Sequence, residues 1–534
     1  MRNERRRIGI GWLVLGVLVV LSFVVFAVVL GPRRTAMISA ASLLSTTVDG
    51  LAEAPGQRRL RTLDIRIDPA DLDTLEADLP WSGGRNMPAM LVENGVQYPV
   101  KFRYRGVYST SHFLGGKKSF RLSLKKDNPF SPYRRLNVVN PKSFNFLNDH
   151  LGSWIAGRMG VPVPWNEMVF VRLNGHDEGV MELFEQPSGD FERVRNLTNE
   201  QVPVYRGDYA PVVDRKLPPS RNIWRSTENW EYVSNADSTV AHAQLTALLA
   251  VITDPTWSIA QRRDTLSRLI DVDAYARYLA AILVVNTKHI DQYHNQWLVR
   301  SDRTGLFYPI FWDALLMFPP EGEPLYYIHD ALAHWFLRIP EWRLMRDRYA
   351  YQALLDLQRN GAFAQELDRS VEQLMPSVLA DRNKYGNVTL EPADVHRFSV
   401  VHVISSIAGM REQVRRYWEG SLARFERVDV AVERGRTMRF KTTSDIPIGL
   451  RWPAFDGPPP TLLLGTDTVL PQRNEGFWSL TIHRELVLPE DSWNRPFTDR
   501  QHYNVVPLDA TLSFPNGAPA DLTITNAITD EAIR

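Results

Sequence analysis

The period of the apolar residues changes twice along this chain, and that limits what it can fold into. From Leu60 to about residue 210 the apolar residues mostly alternate. "YPVKFRYRGVY" (Tyr98 to Tyr108) and "KSFRLSL" (Lys118 to Leu124) read as strands, because a two-residue period lines one face of a sheet. "NEMVFVRLNGHDEGVMELFEQ" reads as two strands about Asn174-Gly175, a pair suited to a tight hairpin turn. One helix crosses this part: Phe144, Leu147, Leu151, Trp154 and Ile155 stand at helical spacing, and Gly160 supplies the stop. From about Thr239 to Phe425 the spacing becomes i, i+3, i+4 and the pattern mainly helical. The apolar strand pair "NQWLVR" and "GLFYPIFW" interrupts it. After Arg427 alternation returns and suggests a small β-sandwich-like domain.

Composition narrows the function. The net charge of +1 gives no basic bias towards nucleic acid, and no nucleic-acid partner is expected. The absence of cysteine excludes disulfides, thiolate metal sites and cysteine nucleophiles. At the N-terminus, Ile8 to Gly31 holds no charged residue. At about 1.5 Å per residue a helix over this run spans roughly 30 Å of hydrocarbon. Four arginines precede it, against Arg33 and Arg34 beyond it, which favours a cytoplasmic N-terminus. The expectation is a single-pass cell-membrane protein, anchored by this one helix, with its bulk outside the cytoplasm. A cleaved signal peptide is the alternative.

A few polar residues stand where apolar ones are expected. "LFYPIFWDALLMF" carries one charge, Asp313, at the end of a strand. Its hairpin partner begins near Asn295, just after Asp291 in "HIDQYHNQWL". If the preceding helix continues there, Asp291 and Asn295 share a side of the chain, and the hairpin returns Asp313 towards Asn295. Two carboxylates and an amide oxygen suit a hard cation, Mg2+ or Mn2+. A helix cap or an arginine partner for Asp313 is the plainer alternative. In "GGKKSFRLSL" Lys118 shares its parity with Phe120, Leu122 and Leu124, so it is expected to point inward, where a lysine can hold phosphate oxygens. Snorkelling at a strand end is the other reading.

Several stretches, in order, resemble the CotH family of atypical protein kinases over roughly Leu60 to Phe425. They are "VKFRYRGVYSTSHFLGGKKSFRLSL", the helix and hairpin segment from Phe144 to Phe191, "VYRGD", and "HIDQYHNQWLVRSDRTGLFYPIFWD". The resemblance implies an atypical protein-kinase-like fold; with the apolar run before it and the alternation after it, the expected fold class is α+β and bilobal, with an N-terminal transmembrane helix and a C-terminal β-rich domain. The expected domains are residues 1–36 (basic flank and anchor), 37–58 (linker), 59–426 (kinase-like, with a β-rich lobe at about 59–210 and a helical lobe at about 239–426) and 427–534. It implies transfer of the γ-phosphoryl group of ATP to serine or threonine of an envelope or surface protein. Asp291 matches the catalytic base. Asn295 and Asp313 match the metal-binding pair for Mg2+ or Mn2+. Lys118, Glu185 and Arg206 are the nucleotide-binding candidates. At two positions the chain departs from the family pattern: Leu315 stands where many relatives carry a second acid, and Arg206 where they often carry lysine. The alternative function is an inactive, pseudokinase-like scaffold in cell-surface or exopolysaccharide assembly.

Overall fold

The computed structural model describes residues 60–533, except 80–84, 106–112, 115–116, 126–129, 142, 209–220, 235–237, 288, 314–315, 317–324, 328–329, 388–394, 434–436, 457–460, 465–466, 488–501 and 515–517. The described chain divides into two compact units. One comprises residues up to His150, Trp165–Gln186 and Leu367–Met410. The other comprises Leu151–Pro164, Pro187–Glu366 and Arg411–Arg534.

The first unit is built on a closed seven-stranded barrel. Its strands are β1 (Arg61–Ile67), β2 (Met87–Glu93), β3 (Val96–Tyr104), β4 (Phe120–Leu124), β5 (Arg135–Val139), β6 (Asn166–Leu173) and β7 (His176–Glu185). The order is β1-β2-β3-β4-β5-β7-β6, and β6 closes on β1 in parallel. Alternation works as the sequence predicts: Leu63, Ile65, Phe102, Phe120, Leu122, Leu136, Val169, Val171 and Leu183 fill the interior. The β6–β7 turn is Asn174-Gly175, both at positive φ (50° and 82°). Closure leaves the barrel without an open sheet edge. A short helix, α1 (Pro69–Ala77), follows β1, capped by the Asp68 side chain on the Ala70 amide at 2.9 Å.

The second unit holds a four-stranded sheet in which Val204–Gly207 lies between Trp230–Tyr232 and Gln296–Arg300, and Phe307–Pro309 adds the far edge. The helix α2 (Val272–Val285) leads into this sheet. It is capped by Asp271, and ten of its side chains are buried, as expected of an apolar run such as "AYARYLAAILVV". Downstream come α3 (Ala331–Arg338) and α4 (Pro340–Leu354). At the C-terminal end, a five-stranded and a four-stranded sheet share one core of Met438, Phe440, Ile448, Trp452, Trp478 and Leu512. These residues belong to the same compact unit as the helices. Buried arginines help to explain why. Arg343 of α4 donates to the Arg484 carbonyl, and Arg484 in turn to Thr442.

One part of the expected fold class is corrected. No helix among the described residues is long and apolar enough to cross a membrane, and Ile8 to Gly31 lies outside the described residues. The described residues form a mixed α and β fold around a seven-stranded barrel, with no helix among them that could cross a membrane. A second difference concerns the expected helical lobe: part of it, Leu367–Met410, belongs to the barrel unit.

Candidate active site

The helix α2 stops at Asn286, whose φ of 53° is the left-handed conformation that ends a helix. Asp291 and Asn295 therefore do not share a helix face. They lie in a tight turn that runs into the strand Gln296–Arg300. The turn is built by Asp291 itself. Its Oδ1 accepts the amides of Tyr293 at 2.7 Å and His294 at 2.9 Å, and its own amide donates to the His294 carbonyl at 3.3 Å. Asp291 is 3% exposed, and the His294 Nδ1 lies 3.0 Å from Oδ1 and 3.2 Å from Oδ2.

Asn295 and Asp313 both sit at positive φ, 62° and 53°. Such backbone strain persists where the surroundings impose it. Here Asn295 Nδ2 donates to the His289 carbonyl at 2.8 Å and to Asp313 Oδ2 at 3.0 Å, while His289 Nδ1 lies 2.5 Å from that same carboxylate oxygen. Trp312, one residue before, lies against Trp297 with ring centroids 5.2 Å apart, which fixes the end of the strand pair. The hairpin thus brings Asp313 back to Asn295. His294 joins the two halves electrostatically. Burial alone would push its imidazole pKa down, but the bond and charge of Asp291, with Asp208 and Asp313, raise it. Three carboxylates therefore act on one imidazole.

The remaining expected residues lie elsewhere. Arg206, in the same unit, pairs with Asp208 and with Glu231 at 3.2 Å, and lies over the Trp297 ring. Lys118 and Glu185 belong to the barrel unit and do not meet. Lys118 Nζ reaches Glu76 of α1 at 2.5 Å, beside the Tyr104 ring. Glu185 is buried and accepts the Trp165 amide at 3.2 Å. Lys117–Lys118 is a two-residue strand of its own, and the Lys118 ammonium lies over Tyr104, a member of the barrel core that also holds Phe120 and Leu122. Lys117 is the buried lysine, and its Nζ meets Asp381 Oδ2 at 3.0 Å.

Residues that the sequence did not single out are Asp208, His289, His294, Gln296, Asp330, Lys117 and Asp381. Asp208 stands two positions after Arg206 in a stretch already marked, so proximity to that stretch was its one available signal. Leu315, the departure from the family pattern, lies outside the described residues.

Hard oxygen donors thus stand beside histidine-bound aspartates at the mouth of a strand hairpin that follows an apolar helix. The family model for CotH kinase protein matches residues 102–389, more than half of the chain, and the chain belongs to that family. It is 27% identical to the inner spore coat protein H of Bacillus subtilis (strain 168) over 265 residues, 48% of this chain and 68% of that protein. That relative is named for the inner spore coat and not for a membrane. With no membrane-crossing helix among the described residues, the expected single-pass cell-membrane placement is withdrawn.

Among the described residues no group of three or more His, Asp or Glu side chains is arranged to hold a metal ion. The donor chemistry still fits Mg2+ or Mn2+. Such ions keep several waters and share phosphate oxygens, so one carboxylate and one amide oxygen are a sufficient protein contribution. Asn295 commits its Nδ2 to the His289 carbonyl and to Asp313, so its Oδ1 is the atom able to meet a cation.

Proposed function

We propose that this chain is a metal-dependent phosphotransferase that moves the γ-phosphoryl group of ATP to a serine or threonine hydroxyl of a protein. The observation that carries the reading is the turn at Asp291 with Asn295 and Asp313 closed on each other at 3.0 Å. Phosphoryl transfer needs positioning and charge neutralisation more than covalent chemistry. Asp291 accepts the proton of the attacking hydroxyl as the new O–P bond forms and the bond to ADP breaks. Its carboxylate is pinned by two backbone amides and His294, which keeps it oriented. Asp313 and Asn295 would hold Mg2+ or Mn2+, whose chemistry is to neutralise phosphate oxygens. His289 anchors the Asp313 carboxylate from the other side. Lys118, with 19% of its side chain exposed, is the candidate lysine for the phosphates, whereas the Lys117 side chain is fully enclosed.

A second reading, an inactive scaffold, is favoured by one feature of the sequence: Leu315 stands where many relatives carry a second acid. The test is phosphorylation of casein or of the chain itself with ATP and Mn2+ or Mg2+. Asp291→Ala and Asp313→Ala are each expected to lower it by about 100-fold or more. Undiminished transfer in both variants overturns the assignment. An inactive wild type without any ATP–metal thermal shift leaves the scaffold reading.

A further inference from the structure

Between the Asp291 turn and helix α3 runs a line of buried polar groups that the phosphotransfer step does not use. Gln296 is 1% exposed. Its Nε2 donates to the Asp291 backbone carbonyl at 3.1 Å and to Asp330 Oδ2 at 3.0 Å, and its Oε1 accepts from the Tyr278 hydroxyl at 3.4 Å. Asp330 is wholly buried at the N-cap of α3. Its Oδ1 accepts the Ala333 amide at 2.8 Å and the Tyr275 hydroxyl at 3.4 Å.

Capping alone does not explain an aspartate here. Serine, threonine or asparagine caps a helix as well, without a charge in the interior. What aspartate adds is acceptance on both oxygens at once: one takes the helix amide, the other takes Gln296. With one N–H of Gln296 committed to Asp330, the other is aimed at the Asp291 carbonyl. Both of its donors are thereby filled, as a buried amide requires. The strut runs from the rigid start of α3 to the peptide of the residue whose carboxylate builds the turn.

We propose that Gln296, anchored by Asp330, is a positioning residue that fixes the Asp291 peptide and through it the direction of the Asp291 carboxylate. The catalytic consequence rests on the phosphotransferase reading; the positional one stands without it. The test uses the full chain and four variants: Gln296→Leu, Gln296→Glu, Asp330→Asn and the double Gln296→Glu/Asp330→Asn. Glutamate only accepts, so Gln296→Glu loses both donations. In the double variant asparagine donates to glutamate. The 296–330 link returns with reversed polarity, but nothing donates to the Asp291 carbonyl.

Two readouts apply: kcat and KM for phosphotransfer, and hydrogen exchange of the 290–294 segment, which needs no activity. Gln296→Leu, Gln296→Glu and the double variant are expected to lose kcat by about 10- to 100-fold with KM for ATP little changed, as small misplacements do. Exchange at the Tyr293 and His294 amides rises in all three. The double variant regains thermal stability over Gln296→Glu but neither kcat nor protection. Recovery of both in the double variant overturns the proposal, because a structural cap alone would then suffice. Wild-type exchange in a folded Gln296→Leu chain also overturns it, and this apolar variant decides the question should the charged ones not fold. A wild type without phosphotransfer defeats the phosphotransferase reading and leaves exchange to decide this one.

Discussion

Replacing Lys117 by methionine tests the barrel unit most sharply. Lys117 Nζ lies 3.0 Å from Asp381 Oδ2, and both side chains are 0% exposed. That oxygen also accepts the Val180 amide at 2.8 Å, and Oδ1 accepts the Asn383 amide at 2.6 Å. Methionine nearly matches lysine in length, so the cavity left is small and the loss is electrostatic. Breaking a buried ion pair by removing one partner costs about 3–5 kcal/mol. The two amides stay on the carboxylate and continue to stabilise it, so about 3 kcal/mol is expected, the low end of that range. Asp381→Asn, which strands a buried ammonium beside Phe146 (5.6 Å to the ring centroid), is expected to cost more, about 4 kcal/mol. The double variant removes both charges and is expected to cost only about 1–2 kcal/mol, since buried pairs are often replaceable by apolar groups. The coupling is then about 5–6 kcal/mol, well above the roughly 0.5 kcal/mol scatter of independent sites. Hydrogen exchange of β7 reads the opening free energy of this unit without assuming that the whole chain unfolds in one step. Single effects that add within about 0.5 kcal/mol, or a Lys117→Met cost below about 1 kcal/mol, would refute the buried-pair reasoning.

Gly179 has φ 97°, and a Cβ there would overlap the Asp381 carboxyl. Gly179→Ala is therefore expected to cost about 2–4 kcal/mol in urea unfolding, with the steric part vanishing in an Asp381→Ala background. Lys118→Met removes a partly exposed pair with Glu76 and should cost under about 1 kcal/mol, while weakening ATP binding by about tenfold in a titration if Lys118 serves the phosphates. Burial raises the Asp330 pKa to about 6 against the bonds it accepts from Ala333, Gln296, Leu332 and Tyr275. Its protonated form is the one favoured by folding, so that stability is fully present below about pH 4 and is lost as pH rises through about 6. The urea stability of wild type relative to Asp330→Asn should accordingly fall by up to about 3 kcal/mol between pH 4 and pH 7, and a flat difference would contradict it. Deleting residues 428–534 removes the Arg484 carbonyl from Arg343, the Tyr503 hydroxyl from His334 and the Asn526 amide from the Phe425 carbonyl. The truncated chain is expected to lose its helical circular dichroism; native melting within a few degrees would show that the helices stand alone.

Much of the local structure is legible in the sequence alone. Strict alternation predicted β3 and β4, Asn174-Gly175 predicted a turn that needs two positive φ values, and the "AYARYLAAILVV" run predicted α2. The order of Asp291, Asn295 and Asp313 about a strand hairpin also implied that the last two meet, as they do. What failed did so for a physical reason. A shared helix face for Asp291 and Asn295 was expected, but α2 stops at Asn286 and Asp291 folds a turn instead.

The sequence by itself determined the strand and helix periods, the tight turn and the residue types able to hold a cation and accept a proton. Those properties depend on neighbours a few residues away. The tertiary structure alone decided which lysine is buried, that Asp381 meets it from 264 positions away, and that Gly179 leaves room for that carboxylate. It alone decided that Asp330 reaches the Asp291 peptide through Gln296. Such contacts join residues whose separation along the chain carries no period. They form because each buried polar group must find a partner once water has been excluded.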